Sequence, residues 1–395
     1  MREQKMKKLI TLILAVLLLF CSTVNASALE LLGMKKGDTD LDGKITSDDA
    51  RTVLRCSVGL YIPSLLIRSL FDLNSDGKIS SEDARLTLRL AVGLDGTGNK
   101  PVSKETLAKN ISEKVSEKEL DRLMRGLCSM GSRSVIFPKT NKKAADYISQ
   151  ELKKAGLTPE MQTFYYAGIE TQNITAVLNE GKKNEKILLL SSHYDCWDGA
   201  EGAIDNASGV SALLHTVKLL KESGIAFNCE IRITFFSAEE MGYYGAYHYL
   251  STLSADEKSK LSVFNIDMAG NSLLGGGKML SVSTNSAYVS GAVSNELSRA
   301  IDNAKNFTGN MGENGYYSPV SAGLHDIVPF EKLSIPAVTL SWREIRPAGS
   351  YGSDYGLSSP SQIHTKLDTY ENFNLSSLTA TTQLIINTVI LSYTV

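Results

Sequence analysis

Side chains able to bind a metal ion or to transfer a proton occur at five places between residues 193 and 364. In chain order they are His193 with Asp195, Asp205, Glu239 with Glu240, Asp267, and His364. Imidazole nitrogens and carboxylate oxygens are ligands of Zn²⁺, and catalytic zinc sites leave one position open for water. A pair of zinc ions that shares a carboxylate lowers the pKa of water toward neutrality and polarises a carbonyl group. These residue types could therefore hold divalent metal ions and activate a water molecule.

Each of these residues also has an ordinary structural explanation when it is taken alone. A histidine after a strand is usually a hydrogen-bonded structural residue, and an aspartate before a helix is usually an N-cap. Paired glutamates after a strand are usually a solvated turn. Their order along one chain favours a metal centre, because a buried carboxylate without a partner is energetically very costly.

Strand-like and helix-like segments alternate through this part of the chain. We predict strands at Ile187–Ser191, Glu230–Ser237, Leu261–Ile266 and Ala337–Ser341, and helices at Ser208–Ser223 and Tyr243–Leu253. This alternation is typical of an α/β/α sandwich of three layers with a largely parallel central sheet. In such folds functional groups collect at the carboxyl ends of strands, where His193, Glu239 and Asp267 stand.

The order of the motifs resembles the co-catalytic zinc aminopeptidases of peptidase clan MH, which include bacterial leucyl-type aminopeptidases and the glutamate carboxypeptidases. The resemblance covers about residues 105–395 and is strongest at Ser192–Asp195, Gly202–Gly209 and Phe236–Gly245. It implies two zinc ions with the following ligands: His193 and Asp267 on one ion, Glu240 and His364 on the other, and Asp205 bridging both.

Two acidic residues have implied roles other than binding zinc. Glu239 is adjacent to the ligand Glu240, so it can take a proton from water and pass it to the leaving amine. Asp195, two residues after His193, can accept the free imidazole N–H and fix the tautomer of the ring.

The end of the chain departs from the pattern of this clan. Ile363 precedes His364 where several relatives have a tyrosine that could stabilise the oxyanion, and Lys366 stands where a proline is usual. The oxyanion donor is therefore unassigned, with Tyr351 and Tyr355 as candidates.

Three other histidines are not placed in the predicted site. His325 lies in the stretch 323–337, which resembles the SDHxxF and GIPA elements of the clan with its first residues altered. We therefore predict no role for it. His215 and His248 lie in helix-like runs, and we interpret them as structural.

Two segments near the N-terminus, residues 37–51 and 71–85, repeat each other closely. Each has oxygen-bearing side chains at alternate loop positions, then a glycine, then a closing aspartate. Ca²⁺ takes about 6–8 oxygen ligands, and a tight loop presents them only if a glycine permits the bend. A single acidic turn of this kind often binds nothing, but two copies favour two calcium ions. The predicted ligands, with the lysines contributing carbonyl oxygens, are Asp38, Asp40, Asp42, Lys44 and Asp49, and Asp72, Asn74, Asp76, Lys78 and Asp83.

The repeat resembles a type I-like dockerin over about residues 33–94, with Ile45 and Ile79 at matching positions. Dockerins bind a cohesin on a scaffolding protein. The resemblance implies that the residues facing the cohesin are Ser47, Asp48, Arg55, Ser81, Glu82 and Arg89. Dockerins more often lie at the C-terminus, so the position here is a departure that leaves the binding mode open.

The N-terminus and the overall charge indicate export and argue against two classes of partner. Lysines before the apolar run Leu9–Phe20, followed by Ala26 to Ala28, form the layout of a secretory signal peptide. The apolar run is shorter than the roughly 20 residues of a spanning helix, and we predict no membrane association after cleavage. The net charge of −2 creates no field that would attract nucleic acid.

These observations predict a signal peptide at 1–28, a dockerin at 33–94, a linker at 95–103 and a zinc peptidase domain at 104–395. The expected protein is a secreted, extracellular aminopeptidase that is held on a multienzyme scaffold such as a cellulosome. The alternatives are a carboxypeptidase or a glutaminyl cyclase on the same fold. A third is a catalytically inactive binding protein.

Overall fold

The computed structural model describes residues 35–64, 67–94, 103–179, 186–275, 277–284, 294–308, 316–321, 325–345 and 357–394. The predicted signal peptide, nearly all of the predicted linker, Tyr351 and Tyr355 lie outside these ranges. The chain divides into two compact units between Ser103 and Lys104.

Helices are the regular elements described in the first unit, and they form the outer layers of the second. The helices of the described residues are α1 (Ser47–Ser57), α2 (Arg68–Phe71), α3 (Ser81–Ala91), α4 (Lys104–Ser112), α5 (Glu117–Cys128), α6 (Pro138–Lys154), α7 (Ser208–Ser223), α8 (Tyr244–Thr252), α9 (Ala255–Lys260), α10 (Ser294–Thr308), α11 (Val328–Glu331) and α12 (Leu375–Tyr393).

Strands are confined to the second unit within the described residues. They are β1 (Glu160–Tyr166), β2 (Ile169–Asn179), β3 (Ile187–His193), β4 (Glu230–Phe236), β5 (Leu261–Ile266), β6 (Asn271–Ser272), β7 (Lys278–Thr284), β8 (Tyr316–Ser321), β9 (Ala337–Ile345), β10 (Leu357–Ser358) and β11 (Phe373–Asn374).

The sequence repeat of the first unit is also a structural repeat. Thr46 caps α1 and Ser80 caps α3, and each backbone N–H donates a 2.8 Å hydrogen bond to the aspartate three residues later, Asp49 or Asp83. These reciprocal bonds satisfy donors that the first turn of a helix leaves free. The apolar faces of the helices then close over a small core of Val53, Leu70, Phe71 and Ala84.

The main sheet of the second unit has the strand order β1-β2-β4-β3-β5-β9-β7-β8, with β10 paired to β9. The four central strands, β4, β3, β5 and β9, are parallel, while β1, β2, β7 and β10 join by antiparallel pairing. The predicted α/β sandwich with a parallel core is confirmed. The predicted strands lie in β3, β4, β5 and β9, and the predicted helices are α7 and α8.

Both faces of the central strands are covered, which explains their continuous apolar sequences. On β3, Leu188 and Leu190 pack into the larger core, which also includes residues of α5, α6, α7, α10 and α12. Ile187 and Leu189 point the other way, into a second core with residues of α8 and α11. The sheet is therefore the middle of three layers, and its ends are rigidly held.

The last helix, α12, is long and apolar enough to cross a membrane by length and composition. In the structure 61% of its most apolar window is buried. It packs against α4, α7 and α10. These contacts are those of a core helix in a globular unit.

Replacing Leu190 with alanine tests the central position of β3. The side chain is 0% exposed, so the substitution should lower the free energy of unfolding by about 2–5 kcal/mol. Leu333→Ala, at a leucine that is 54% exposed, should change it by less than about 0.5 kcal/mol. Both tryptophans of the chain, Trp197 and Trp342, lie in this unit, so urea unfolding followed by tryptophan fluorescence reports on it alone. Equal losses in the two variants would contradict this account of the core.

Candidate metal centre

The carboxyl ends of adjacent parallel strands bring predicted site residues to one edge of the sheet. His193 is the last residue of β3, Asp267 directly follows β5, and the pair Glu239 and Glu240 follows β4. Each strand is an apolar run that stops where the polar residues begin. Because the strands are parallel neighbours, their polar ends meet.

Two more residues reach the same point from loops. Asp205 lies in the kinked turn Ala203–Ala207, directly before α7. His364 lies in the segment between β10 and β11, and its ring stacks on Trp197 with the ring centres 4.6 Å apart. Trp197 and His364 are both partly exposed, so they form an aromatic edge of the site.

The Asp205 carboxylate lies between two imidazole rings. Its Oδ1 is 3.2 Å from Nε2 of His193, and its Oδ2 is 3.4 Å from Nε2 of His364. On one side Asp267 Oδ1 lies 3.3 Å from the His193 Nε2, and on the other Glu240 Oε2 lies 3.1 Å from the His364 Nε2. The structure thus brings all five predicted zinc ligands together, in two groups that share Asp205.

The predicted general base, Glu239, lies at the same centre. Its Oε2 is 4.0 Å from the His193 Nε2, and the side chain is almost fully buried. His193, Glu239 and Asp267 place their ligand atoms within 4.8 Å of one another, as do Asp205, Glu240 and His364.

The charges of the site fit a pair of divalent cations. Burial raises the pKa of Glu239 well above its ordinary value, and burial together with the Asp205 carboxylate raises the pKa of Glu240 to about 7. Hydrogen bonds to Asp205 and Glu240 raise the pKa of His364 to about 10. Asp205 Oδ1 and Glu240 Oε1 are buried and accept no hydrogen bond from the described residues. Two zinc ions would supply the positive charge that these crowded carboxylates otherwise lack.

Asp195 makes contacts different from the one that the sequence predicts. Its Oδ1 lies 3.5 Å from His193 Nδ1, an ion-pair distance at which no hydrogen bond is formed. Its two oxygens instead accept from the backbone N–H groups of Glu239, at 3.2 Å, and Glu240, at 3.3 Å. Asp195 therefore fixes the turn that carries Glu239 and Glu240.

Sequence reasoning missed Asp368, which holds the loop that carries Asp205. Its carboxylate accepts from the backbone N–H groups of Ile204, at 2.7 Å, and Asp205, at 3.2 Å. The side chain is fully buried, and burial raises its pKa to about 7. The only signal was its position four residues after His364.

Sequence reasoning also missed Arg133, which is fully buried. It donates to the backbone carbonyls of Tyr194, Glu201 and Gly202, at 2.9, 2.7 and 2.9 Å. These bonds brace the segment between His193 and Asp205. No local pattern marks this arginine, because its partners are more than sixty residues away.

The structure contradicts the expectation that His325 has no part in the site. Its Nδ1 lies 2.5 Å from Oδ2 of Asp267. His215 and His248 lie elsewhere: His215 accepts a 3.0 Å hydrogen bond from the Ser116 N–H, and His248 stacks on Phe164.

The two predicted calcium loops of the first unit have matching geometry. In the first loop Asp38 accepts from the N–H groups of Asp42 and Gly43, and in the second Asp72 accepts from those of Asp76 and Gly77. The glycines have φ angles of 87° and 83°, a region in which other residues are strained.

Carboxylate oxygens converge in the first of these loops, where Asp38, Asp40 and Asp49 lie within 4.8 Å of one another. In the second loop an amide replaces the middle carboxylate, and Asn74 donates to Asp76 at 3.2 Å. The predicted cohesin-facing residues occupy the first turns and the last turns of α1 and α3, and all are exposed or half-exposed.

The pKa of Glu240 predicts how the stability of the metal-free protein depends on pH. Because the pKa is about 7 in the folded state and 4.5 ordinarily, the folded chain binds the extra proton between these pH values. The raised pKa of Glu240 contributes on the order of 3 kcal/mol to the free energy of unfolding. This contribution is present below about pH 4.5 and is lost as the pH rises through about 7. In urea unfolding with chelator, wild type should therefore lose more stability than Glu240→Gln between about pH 5 and pH 8. The exposed control Glu160→Gln should show the same pH dependence of stability as wild type. If wild type and Glu240→Gln showed equal pH dependence, the raised pKa of Glu240 would be contradicted.

Known proteins resemble the second unit in sequence. The chain is 28% identical over 243 residues to leupeptin-inactivating enzyme 1 of Streptomyces exfoliatus. The matched region covers 60% of this chain and 52% of that protein. It is 38% identical over 104 residues to aminopeptidase YwaD of Bacillus subtilis, which covers 26% of this chain and 22% of the relative. The chain thus spans about half of the first relative, and less of the second.

The fold is also similar to a solved structure. The LapA aminopeptidase of Legionella pneumophila matches with a TM-score of 0.59 and 18% identity, over 83% of this chain and 87% of that chain. The family model described as peptidase family M28 matches residues 173–389, which include all seven residues of the predicted metal and catalytic site. This chain belongs to peptidase family M28.

Proposed function

We propose that the chain is a secreted aminopeptidase that uses two zinc ions to hydrolyse the N-terminal peptide bond of peptides. The observation that carries the proposal is the Asp205 carboxylate, with one oxygen toward His193 and the other toward His364. The names of the relatives, an aminopeptidase and a leupeptin-inactivating enzyme, support the same reaction class.

Five side chains would hold the metal ions. His193 and Asp267 would bind one, Glu240 and His364 the other, and Asp205 would contribute one oxygen to each. Zinc ions bound here would make water more acidic and would polarise the peptide carbonyl.

Glu239 is suited to move the proton in this reaction. Its buried carboxylate lies at the centre, with Oε2 4.0 Å from the His193 Nε2, so it can accept a proton from a water molecule at the metal ions. Asp195 accepts a hydrogen bond from the Glu239 backbone N–H and so keeps the Glu239 side chain at the centre. Glu239 itself does not belong to the ligand pair of Glu240 and His364. Glu239 would take a proton from the attacking water and donate it to the leaving amine.

The first unit would attach this enzyme to a scaffold. Two loops of matching geometry, each bent at a glycine with positive φ, support a dockerin that binds two calcium ions. Its exposed α1 and α3 residues would contact a cohesin. With the predicted signal peptide, this arrangement would place the peptidase outside the cell on a cohesin-bearing complex.

Removing the carboxylate of Glu239 tests the proposed chemistry. Glu239→Gln should lower kcat on aminoacyl p-nitroanilides by about 10²–10⁴-fold, because proton transfer is lost while the five ligands remain. Zinc content, measured by plasma emission, should stay at two ions per chain. Glu160→Gln, on an exposed strand residue, should retain wild-type kcat.

Three results would count against the proposed enzyme. Wild-type kcat in Glu239→Gln, or cleavage that persists with chelator, would exclude the mechanism. A zinc content near one ion per chain would favour the glutaminyl cyclase alternative, since those enzymes use a single zinc.

Asp40→Ala tests the calcium loops. Asp40 is exposed and accepts one hydrogen bond, from the Asp42 N–H, so its removal should spare the fold. Calorimetric titration of the zinc-loaded full chain should show two calcium ions in wild type and one in the variant. Asp48→Ala, at an exposed helix residue outside the ligand set, should still bind two. Absence of calcium uptake by wild type would contradict the dockerin proposal and leave the peptidase proposal intact.

A further inference from the structure

His325 is buried between an aspartate and an arginine. Its Nδ1 lies 2.5 Å from Asp267 Oδ2, and its Nε2 lies 2.7 Å from an Nη2 nitrogen of Arg343. All three side chains are less than 10% exposed: Asp267 3%, His325 3% and Arg343 8%. Both ring nitrogens are therefore occupied by protein groups.

The arginine determines which tautomer the ring adopts. A guanidinium group only donates hydrogen bonds, so Nε2 of His325 must accept and cannot carry a proton. The proton of the neutral ring is then on Nδ1, which donates it to Asp267. With its one free lone pair directed at Arg343, His325 is not available as a metal ligand.

This bond determines how Asp267 can bind a metal ion. Oδ2 of Asp267 is taken by His325, whereas Oδ1 faces the His193 Nε2 at 3.3 Å. We propose that Arg343 and His325 are positioning residues that hold Asp267 so that it binds the zinc ion shared with His193 through Oδ1 alone. The proposal rests on the two-zinc function proposed above.

The framework around the pair is rigid. Arg343 lies on β9, which pairs in parallel with β5, the strand that Asp267 follows. A second guanidinium nitrogen, Nη1, donates to Ser359 at 3.1 Å, and the Asp267 N–H donates to the Leu340 carbonyl of β9 at 3.1 Å. Arg343 and Asp267, which lie on either side of His325 in this hydrogen-bonded series, are thus both fixed to the strand pair of β5 and β9.

The position of the Arg343 charge supports the same assignment. A cation beside Nε2 favours the neutral ring, whose Nδ1–H then points to the Asp267 carboxylate. Partners that hydrogen-bond a metal ligand typically change metal affinity by about 10–100-fold when they are removed.

Zinc affinity tests the proposal without relying on activity. In His325→Phe the donor to Asp267 is lost at similar ring size, and one of the two zinc ions should bind about 10–100-fold more weakly in competition with a chromophoric chelator. His325→Asn keeps an N–H at the δ position, and its zinc affinity should lie much closer to wild type. His248→Phe, the same replacement at a histidine stacked on Phe164, should leave both affinities unchanged.

A spectrum separates positioning from a loss of structure. In the cobalt-substituted protein, His325→Phe should change the visible absorption, which depends on coordination number, because Asp267 gains the freedom to bind through both oxygens. Wild-type affinities and spectrum in His325→Phe would overturn the proposal, as would His325→Asn binding as weakly as His325→Phe. If wild type itself binds no zinc, the two-zinc function fails first, so the two failures are distinguishable.

Discussion

The position of the Asp205 carboxylate between two imidazole rings is the constraint on which the rest of the site depends. Its two oxygens face two different imidazoles, so the separation of His193 and His364 is set by the width of one carboxylate. Asp368 fixes the backbone of Asp205, and Arg133 braces the segment that leads to it. Two residues without a role in the chemistry thus hold the group that joins the two halves of the centre.

The sheet explains why so many carboxylates can be buried together. Continuous apolar strands packed on both faces supply the stability, and polar residues begin where the strands end. In the absence of a cation the acidic groups are crowded, and burial together with the Asp205 carboxylate raises the pKa of Glu240 to about 7. Folding therefore builds a centre that is electrostatically incomplete by itself, and bound cations would relieve this repulsion.

Much of this could be predicted from the sequence, because ligand residue types at strand ends follow from local hydrophobic patterns. Contacts between distant segments of the chain could not be predicted in this way. Asp368 and Arg133 act through backbone groups far away in the chain, which no spacing rule records. The sequence predicts no role for His325 because its motif is altered. Its ring nevertheless contacts Asp267, which lies 58 residues earlier in the chain. The sequence predicts that Asp195 lies at this site and contacts His193. Its carboxylate instead accepts hydrogen bonds from the backbone N–H groups of Glu239 and Glu240.

The most direct test of the central claim is the anomalous difference density of zinc-loaded crystals, measured at the zinc absorption edge. The structure predicts two peaks that flank Asp205, one about 2.0–2.2 Å from each of its oxygens. A single peak, or peaks that do not touch Asp205, would contradict the two-metal account.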